Sequence, residues 1–136
     1  MKTPALVAVE AEEREFEALF AAARRRGVRV GWLELAGASA LPAPWAERAA
    51  AGPAKHLTVG AEGSVAVKPR RGAPVLRDLL REHFVGFELV LVRGHAGAPR
   101  LVPQAEEFRL ETAGGAPRSL AAEALLDELL RPGHRA

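Results

Sequence analysis

Residues 5–35, ALVAVEAEEREFEALFAAARRRGVRVGWLEL, decide the fold. Ala5 to Val9 is a short continuous apolar run, the pattern of a strand buried on both faces. From Glu10 to Arg26 the period changes. Phe16, Leu19, Phe20 and Ala23 recur at i, i+3, i+4 and i+7 and so share one helical face. Glutamates crowd the first turns and Arg24, Arg25 and Arg26 close the last, which complements the helix dipole at both ends. Gly27 stands where a left-handed C-terminal cap belongs, and Val28 to Leu35 resumes as a strand. Strand, helix, strand at this spacing predicts a right-handed crossover between parallel strands.

The reading extends outward from this unit. Ala36 to Pro44 is rich in Ala, Gly and Pro and reads as a loop; Pro44 to Ala51 reads as a short helix with Gly52 behind it. Lys55 to Val59 and Ser64 to Val67 flank Gly60-Ala-Glu-Gly63 at hairpin spacing. Pro74 opens a helix whose Leu76, Leu79, Leu80 and His83 or Phe84 share a face. Phe87 to Val92 is the most apolar segment and is placed as a central strand. Arg93 to Arg100 is a loop, Leu101-Val102 and Phe108 to Leu110 are edge-strand candidates, and Ser119 caps a last helix, Leu120 to Leu130, ended by Pro132-Gly133. The order predicts an α/β fold of three layers: a mostly parallel sheet with helices on both faces, as one domain over residues 1–136.

Composition narrows the chemistry. Of the 136 residues 49% are hydrophobic and 26% charged, and there is no cysteine, which excludes thiolate nucleophiles, disulfides and Cys-type zinc or iron–sulfur sites. Isoleucine and asparagine are also missing and arginine far outnumbers lysine, the skew a GC-rich genome produces. The sequence pI of about 9.7 resembles that of a nucleic-acid binder, yet the net charge is only +2. Basic and acidic residues interleave except at Arg24 to Arg26 and Lys68 to Arg71, which argues against a nucleic-acid partner. No apolar run is long enough to span a membrane and Met1 to Pro4 has no signal-peptide character, so the expectation is a cytoplasmic protein without membrane contact.

In an α/β sheet, ligands bind beyond the carboxyl ends of the strands, first of all at the turn from the first strand into the first helix. Here that turn is Val9-Glu10-Ala11-Glu12-Glu13-Arg14, with no glycine in the chain before Gly27. A phosphate-wrapping loop needs glycines and a lysine. Three glutamates occupy the positive end of the helix instead. At about 4 Å and an effective dielectric near 20, each carboxylate would repel a phosphate by ~4 kcal/mol.

Several segments, in order, resemble the MobB family, P-loop NTPase-like accessory proteins of molybdopterin guanine dinucleotide biosynthesis. ARRRGVRVGW (23–32) is similar to the end of that family's first helix and its second strand. WAERAAAGPAKHLTV (45–59) resembles its Trp-Arg segment leading into a strand. Leu79-Leu80, FELVLVRGH (87–95) and PRLV (99–102) resemble its helix, its Asp-Leu-Val-Leu-Val-Glu-Gly-Phe strand and its Pro-Lys-Ile. The departures are specific. The glycine-rich Walker A motif with its Lys-Thr is missing, Arg93 stands at the Glu of Val-Glu-Gly, and Gly37 to Pro44 replaces a His- and Asp-rich loop without offering a Mg²⁺ ligand. The resemblance therefore implies a P-loop-type topology without NTPase chemistry: a non-catalytic accessory protein around molybdenum cofactor, with no catalytic residue carried over. It also implies a homodimer, a molybdenum-cofactor nucleotidyltransferase or molybdoenzyme as partner, and a molybdopterin-type ligand. The strands near Val65 and Phe108 are the candidate pairing edges.

A second reading is a small-ligand binder or enzyme with a rebuilt site. Arg93, Gly94 and His95, at the carboxyl end of the strongest strand, are its candidate contacts: arginine pairs with anions and histidine can change charge near neutral pH. Trp45, like Trp32, offers an aromatic face for a base or a pterin, against the alternative of core packing. His56, His83, His95 and His134 lack metal-ligand spacing, so no metal is assigned. Ser39, Ser64 and Ser119 lack a nucleophile-elbow context. A nucleic-acid module built on the two basic clusters is the third reading, and it requires one contiguous basic face.

Overall fold

A computed structural model describes residues 3–35, 41–70, 72–73, 75–97 and 99–131. In chain order its elements are β1 (Ala5–Val9), a 3-10 turn (Glu13–Phe16), α1 (Glu17–Arg25), β2 (Val30–Glu34), α2 (Ala43–Ala51), β3 (His56–Val59), β4 (Ser64–Val67), α3 (Leu76–His83), β5 (Leu89–Arg93), β6 (Arg100–Gln104), β7 (Glu107–Glu111), β8 (Arg118–Leu120) and α4 (Ala122–Leu129). They group into two compact units, Met1–Leu35 with Leu76–Ala136, and Ala36–Val75. Ser39, Arg71, Pro74, His134 and the Pro132-Gly133 stop lie outside the described residues.

The first unit holds a six-stranded sheet of order β2-β5-β1-β6-β7-β8. β2, β5, β1 and β6 are parallel neighbours, and β7 runs antiparallel to both β6 and β8. Val7, Val9, Leu89, Leu91, Leu101, Phe108 and Leu110 face Phe16, Leu19 and Ala22 of the first helical segment and Leu125, Leu126 and Leu129 of α4. On the other face Val90 and Val92 meet Leu80 of α3, with Leu6, Leu33, Phe84 and Phe87 packed around them. Helices therefore cover both faces and the parallel three-layer α/β expectation holds. Each fully buried Leu, Val or Phe contributes roughly 1.5–3 kcal/mol, so the α1–α4 side carries most of the stabilisation.

Gly27 fulfils the capping role. Its φ is +67°, the Val28 N–H donates to the Ala23 carbonyl at 2.9 Å, and its own N–H donates to the Arg24 carbonyl at 3.2 Å. The start of the helix differs from the periodicity. Glu10 to Glu12 is loop and α-helical geometry begins only at Glu17. The Glu12 N–H is taken by the Glu15 carboxylate at 3.1 Å, which closes a tight first turn and sets Phe16 fully into the core. There Phe16 stacks on Phe108 (6.0 Å between centroids) and tilts against Trp32 (5.6 Å).

At the other end of the chain the sheet is wider than the apolar runs predict. Phe108 pairs with Pro103 on one side and with Leu120 on the other, so its strand is interior and cannot serve as a pairing edge. Residues 118–120 are drawn into β8 because Leu120 packs on the core. Ser119 consequently does not cap α4: its hydroxyl donates to Gln104 Oε1 at 3.1 Å, and the helix begins after Ala121 without a side-chain cap.

The second unit contains α2 and the antiparallel β3–β4 hairpin, a sheet of its own with His56 opposite Val67 and Val59 opposite Ser64. The Gly60 N–H donates to the Gly63 carbonyl at 2.7 Å and closes the turn. Pro42 precedes α2, Pro44 lies in its first turn and Gly52 ends it, as the composition of that segment predicts. Among the described residues no helix is long and apolar enough to cross a membrane.

Candidate functional site

The site to be tested lies where the parallel strands deliver their carboxyl ends. Glu34 is the last residue of β2, Arg93 the last of β5, and Glu10 follows β1. β6 is staggered, so that its first residue, Arg100, pairs opposite Ala8 and reaches the same level. Read across the sheet, these four side chains alternate in sign.

They satisfy one another. Arg93 Nη1 donates to Glu34 Oε2 at 3.2 Å, and its Nε donates to the Glu10 carbonyl oxygen at 3.1 Å. Arg100 Nη1 donates to Glu10 Oε1 at 2.6 Å. The Trp32 indole N–H donates to the other Glu34 oxygen at 2.9 Å. The pairs are substantially exposed, and such pairs contribute about 0–1 kcal/mol each. Their significance is occupancy: the cations that could meet an anion here already have carboxylates and a carbonyl.

The turn into the first helix is equally closed. Only Glu10, Ala11 and Glu12 join β1 to the 3-10 turn, and no glycine is among them. The Glu15 N–H donates to the Glu12 carbonyl at 3.0 Å, and Arg14 Nε lies 3.1 Å from Glu12 Oε2. The polar groups of this turn are thus engaged with one another.

Gly94 has a structural reason for its position. Its φ is +91°, and an added Cβ would collide with the Leu35 carbonyl oxygen. The Leu35 N–H donates to the Arg93 carbonyl at 2.8 Å, so the chain after β2 is held against the end of β5. His95 is half-buried with its ring against the Gly97 backbone, and among the described residues it has no hydrogen bond or ion pair with Arg93. Arg93 and Gly94 thus sit at the strand ends, but Arg93 and His95 are not brought into one constellation. Trp45 belongs to the second unit, on α2, and is 40% exposed. Trp32 packs edge-on to Phe20 at 6.4 Å in the first unit's core.

The remaining candidates take simple places. Among the described residues no three His, Asp or Glu side chains are grouped to hold a metal ion. Arg25 pairs with Glu123 at 3.1 Å and Arg26 with Asp127 at 2.7 Å, tying α1 to α4. Two of the three arginines in that run are therefore neutralised locally. Sequence reading did not find Glu34 or Arg100, because their roles depend on strand order. The available signal was that each charge closes or opens a parallel strand.

No protein-family model matches the sequence, and no curated protein does either. Solved structures do. Bacillus subtilis MobB is similar over 74% of this chain and 68% of its own, at 21% identity and a TM-score of 0.50. A MobB protein homolog from Bacillus stearothermophilus is similar over 70% of this chain and 59% of its own, at 24% identity and a TM-score of 0.44. The fold is MobB-like, with the mostly parallel α/β sheet that the sequence resemblance implies.

Proposed function

We propose that this chain is a non-catalytic accessory protein of molybdenum-cofactor biosynthesis or delivery, built on a MobB-like fold whose nucleotide site has been lost. The observation that carries the second half is the closed strand-end lattice. Arg93, Glu10, Arg100 and Glu34 satisfy one another where phosphates would bind, above a three-residue acidic turn. The first half rests on the ordered sequence resemblance together with the shared fold. On this reading the protein works in the cytoplasm by contact. Its partners are a second copy of itself and a molybdenum-cofactor nucleotidyltransferase or molybdoenzyme, and a molybdopterin-type compound is the ligand being handled. Of the two candidate pairing edges, the strand of Val65 in the β3–β4 hairpin remains for a dimer, beside the outer strands β2 and β8 of the main sheet.

Titration with a fluorescent GTP analogue, with and without Mg²⁺, tests the lost site. No saturable binding in the micromolar range is expected in either condition. Tight, Mg²⁺-dependent binding overturns the proposal.

A further inference from the structure

The amino ends of the same strands carry a feature the proposed function does not use. Arg77 and Arg81 of α3 are four residues apart and so lie on one strip of the helix. Together with Thr3, Pro4, Leu80 and Phe84 they line a half-open cleft of about 250 Å³. Pro4 and Leu80 are buried and Phe84 is half-buried, so the floor is apolar. Leu80 and Phe84 belong to the smaller of the two core clusters, which fixes that floor to the sheet.

The two guanidinium groups are the unusual part. Among the described residues neither has a hydrogen bond or an ion pair, although Asp78 and Glu82 lie on the same helix. By contrast Arg25, Arg26, Arg93, Arg100, Arg109 and Arg118 of this unit have carboxylate partners; Arg24 has none among the described residues and Arg29 stacks on Phe87, but neither lines this cleft. Like charges at i and i+4 repel, and an anion held between them relieves that repulsion. Planar guanidinium forks match the oxygens of carboxylates and phosphates. A dry cavity of about 150 Å³ accepts a benzene ring, so 250 Å³ holds a ring-sized body with its charged head at the rim.

We infer that this cleft binds a small organic oxyanion, its oxygens on Arg77 and Arg81 and a ring-sized apolar body against Leu80 and Phe84. It is a binding site only: the lining supplies one hydroxyl, of Thr3, and no base to activate it. The strands separate it from the Glu10–Arg93 lattice by about 16 Å, five residues of extended chain. It therefore stands whether or not the reading of the carboxyl end does.

Amide-resolved NMR titration of the full chain tests it with four probes: phenyl phosphate, benzoate, inorganic phosphate and phenol. Phenyl phosphate or benzoate is expected to give saturable shifts confined to Thr3, Pro4-adjacent amides and residues 76–87, and the tighter of the two identifies the head group. Inorganic phosphate and phenol are each expected to bind at least about tenfold more weakly, since each lacks half of the recognition. Replacing Arg77→Ala and Arg81→Ala together should weaken binding by about tenfold or more with an unchanged circular dichroism spectrum. Arg77→Lys with Arg81→Lys should fall between, because charge remains and the fork is gone. Unchanged affinity in the double alanine variant overturns the inference. So does inorganic phosphate binding as tightly as phenyl phosphate, or shifts scattered over the other arginines.

Discussion

Across the carboxyl end of the main sheet, Glu34, Arg93, Glu10 and Arg100 follow one another with alternating sign, each held by its neighbour. At the amino end Arg77 and Arg81 stand side by side with the same sign and no partner among the described residues. Both ends are arginine-bearing and both are partly exposed. What separates them is balance. A cation whose carboxylate is already supplied by the fold must lose that contact before it can meet a ligand, whereas an unmatched pair over an apolar floor gains on meeting one. The position that α/β architecture marks as the ligand site is, in this chain, the position where charge is already spent.

Three variants press on this contrast through urea denaturation. The largest effect belongs to Phe16→Ala. Its ring is fully buried between Phe108 and Trp32 and anchors the acidic turn, so a loss of about 3–5 kcal/mol is expected. A cost below 1 kcal/mol would mean that the turn is held by its charges rather than by its packing. Arg93→Met comes next, at up to about 1 kcal/mol, because its ion pair is well exposed. That loss should shrink as salt is raised; a salt-independent loss would assign it to the hydrogen bond on the Glu10 carbonyl. The smallest effect, opposite in sign, is expected for Arg77→Ala with Arg81→Ala. Relief of an i, i+4 repulsion should leave stability unchanged or raise it by a few tenths of a kcal/mol. A loss comparable to that of Arg93→Met would erase the distinction between the two ends.

The sequence makes the layers of this fold legible and leaves its margins obscure. β1 is legible from its continuous apolar run and α1 from its helical spacing, although α-helical geometry begins at Glu17 rather than Glu10, and Gly27 marks a stop with a backbone requirement only glycine meets cheaply. The extra width of the sheet is hidden because β7 alternates Phe108 and Leu110 with Arg109 and Glu111, which pair with each other at 2.9 Å. Two apolar residues in five look like an edge, and only the pairing of Leu120 with Phe108 shows that they lie inside. Ser119 illustrates the same limit: serine before a helical run reads as a cap until the strand it belongs to is known. Of the site, the short acidic turn after β1 is visible as a run of glutamates without glycine. The lattice is not, since Glu34, Arg93, Glu10 and Arg100 are far apart in the chain and become neighbours only through the order β2-β5-β1-β6.

The two tryptophans, finally, give the molecule a built-in optical label for each of its units. Trp32 is sandwiched by Phe16 and Phe20 with its indole N–H bound to a carboxylate, while Trp45 stands 40% exposed on α2. Tyrosine is absent from the chain, so no other side chain competes with their emission. A Trp45→Phe variant therefore reports on the sheet unit alone and a Trp32→Phe variant on the inserted one. Their melting curves, overlaid, read out whether the two units unfold as one cooperative body or in sequence.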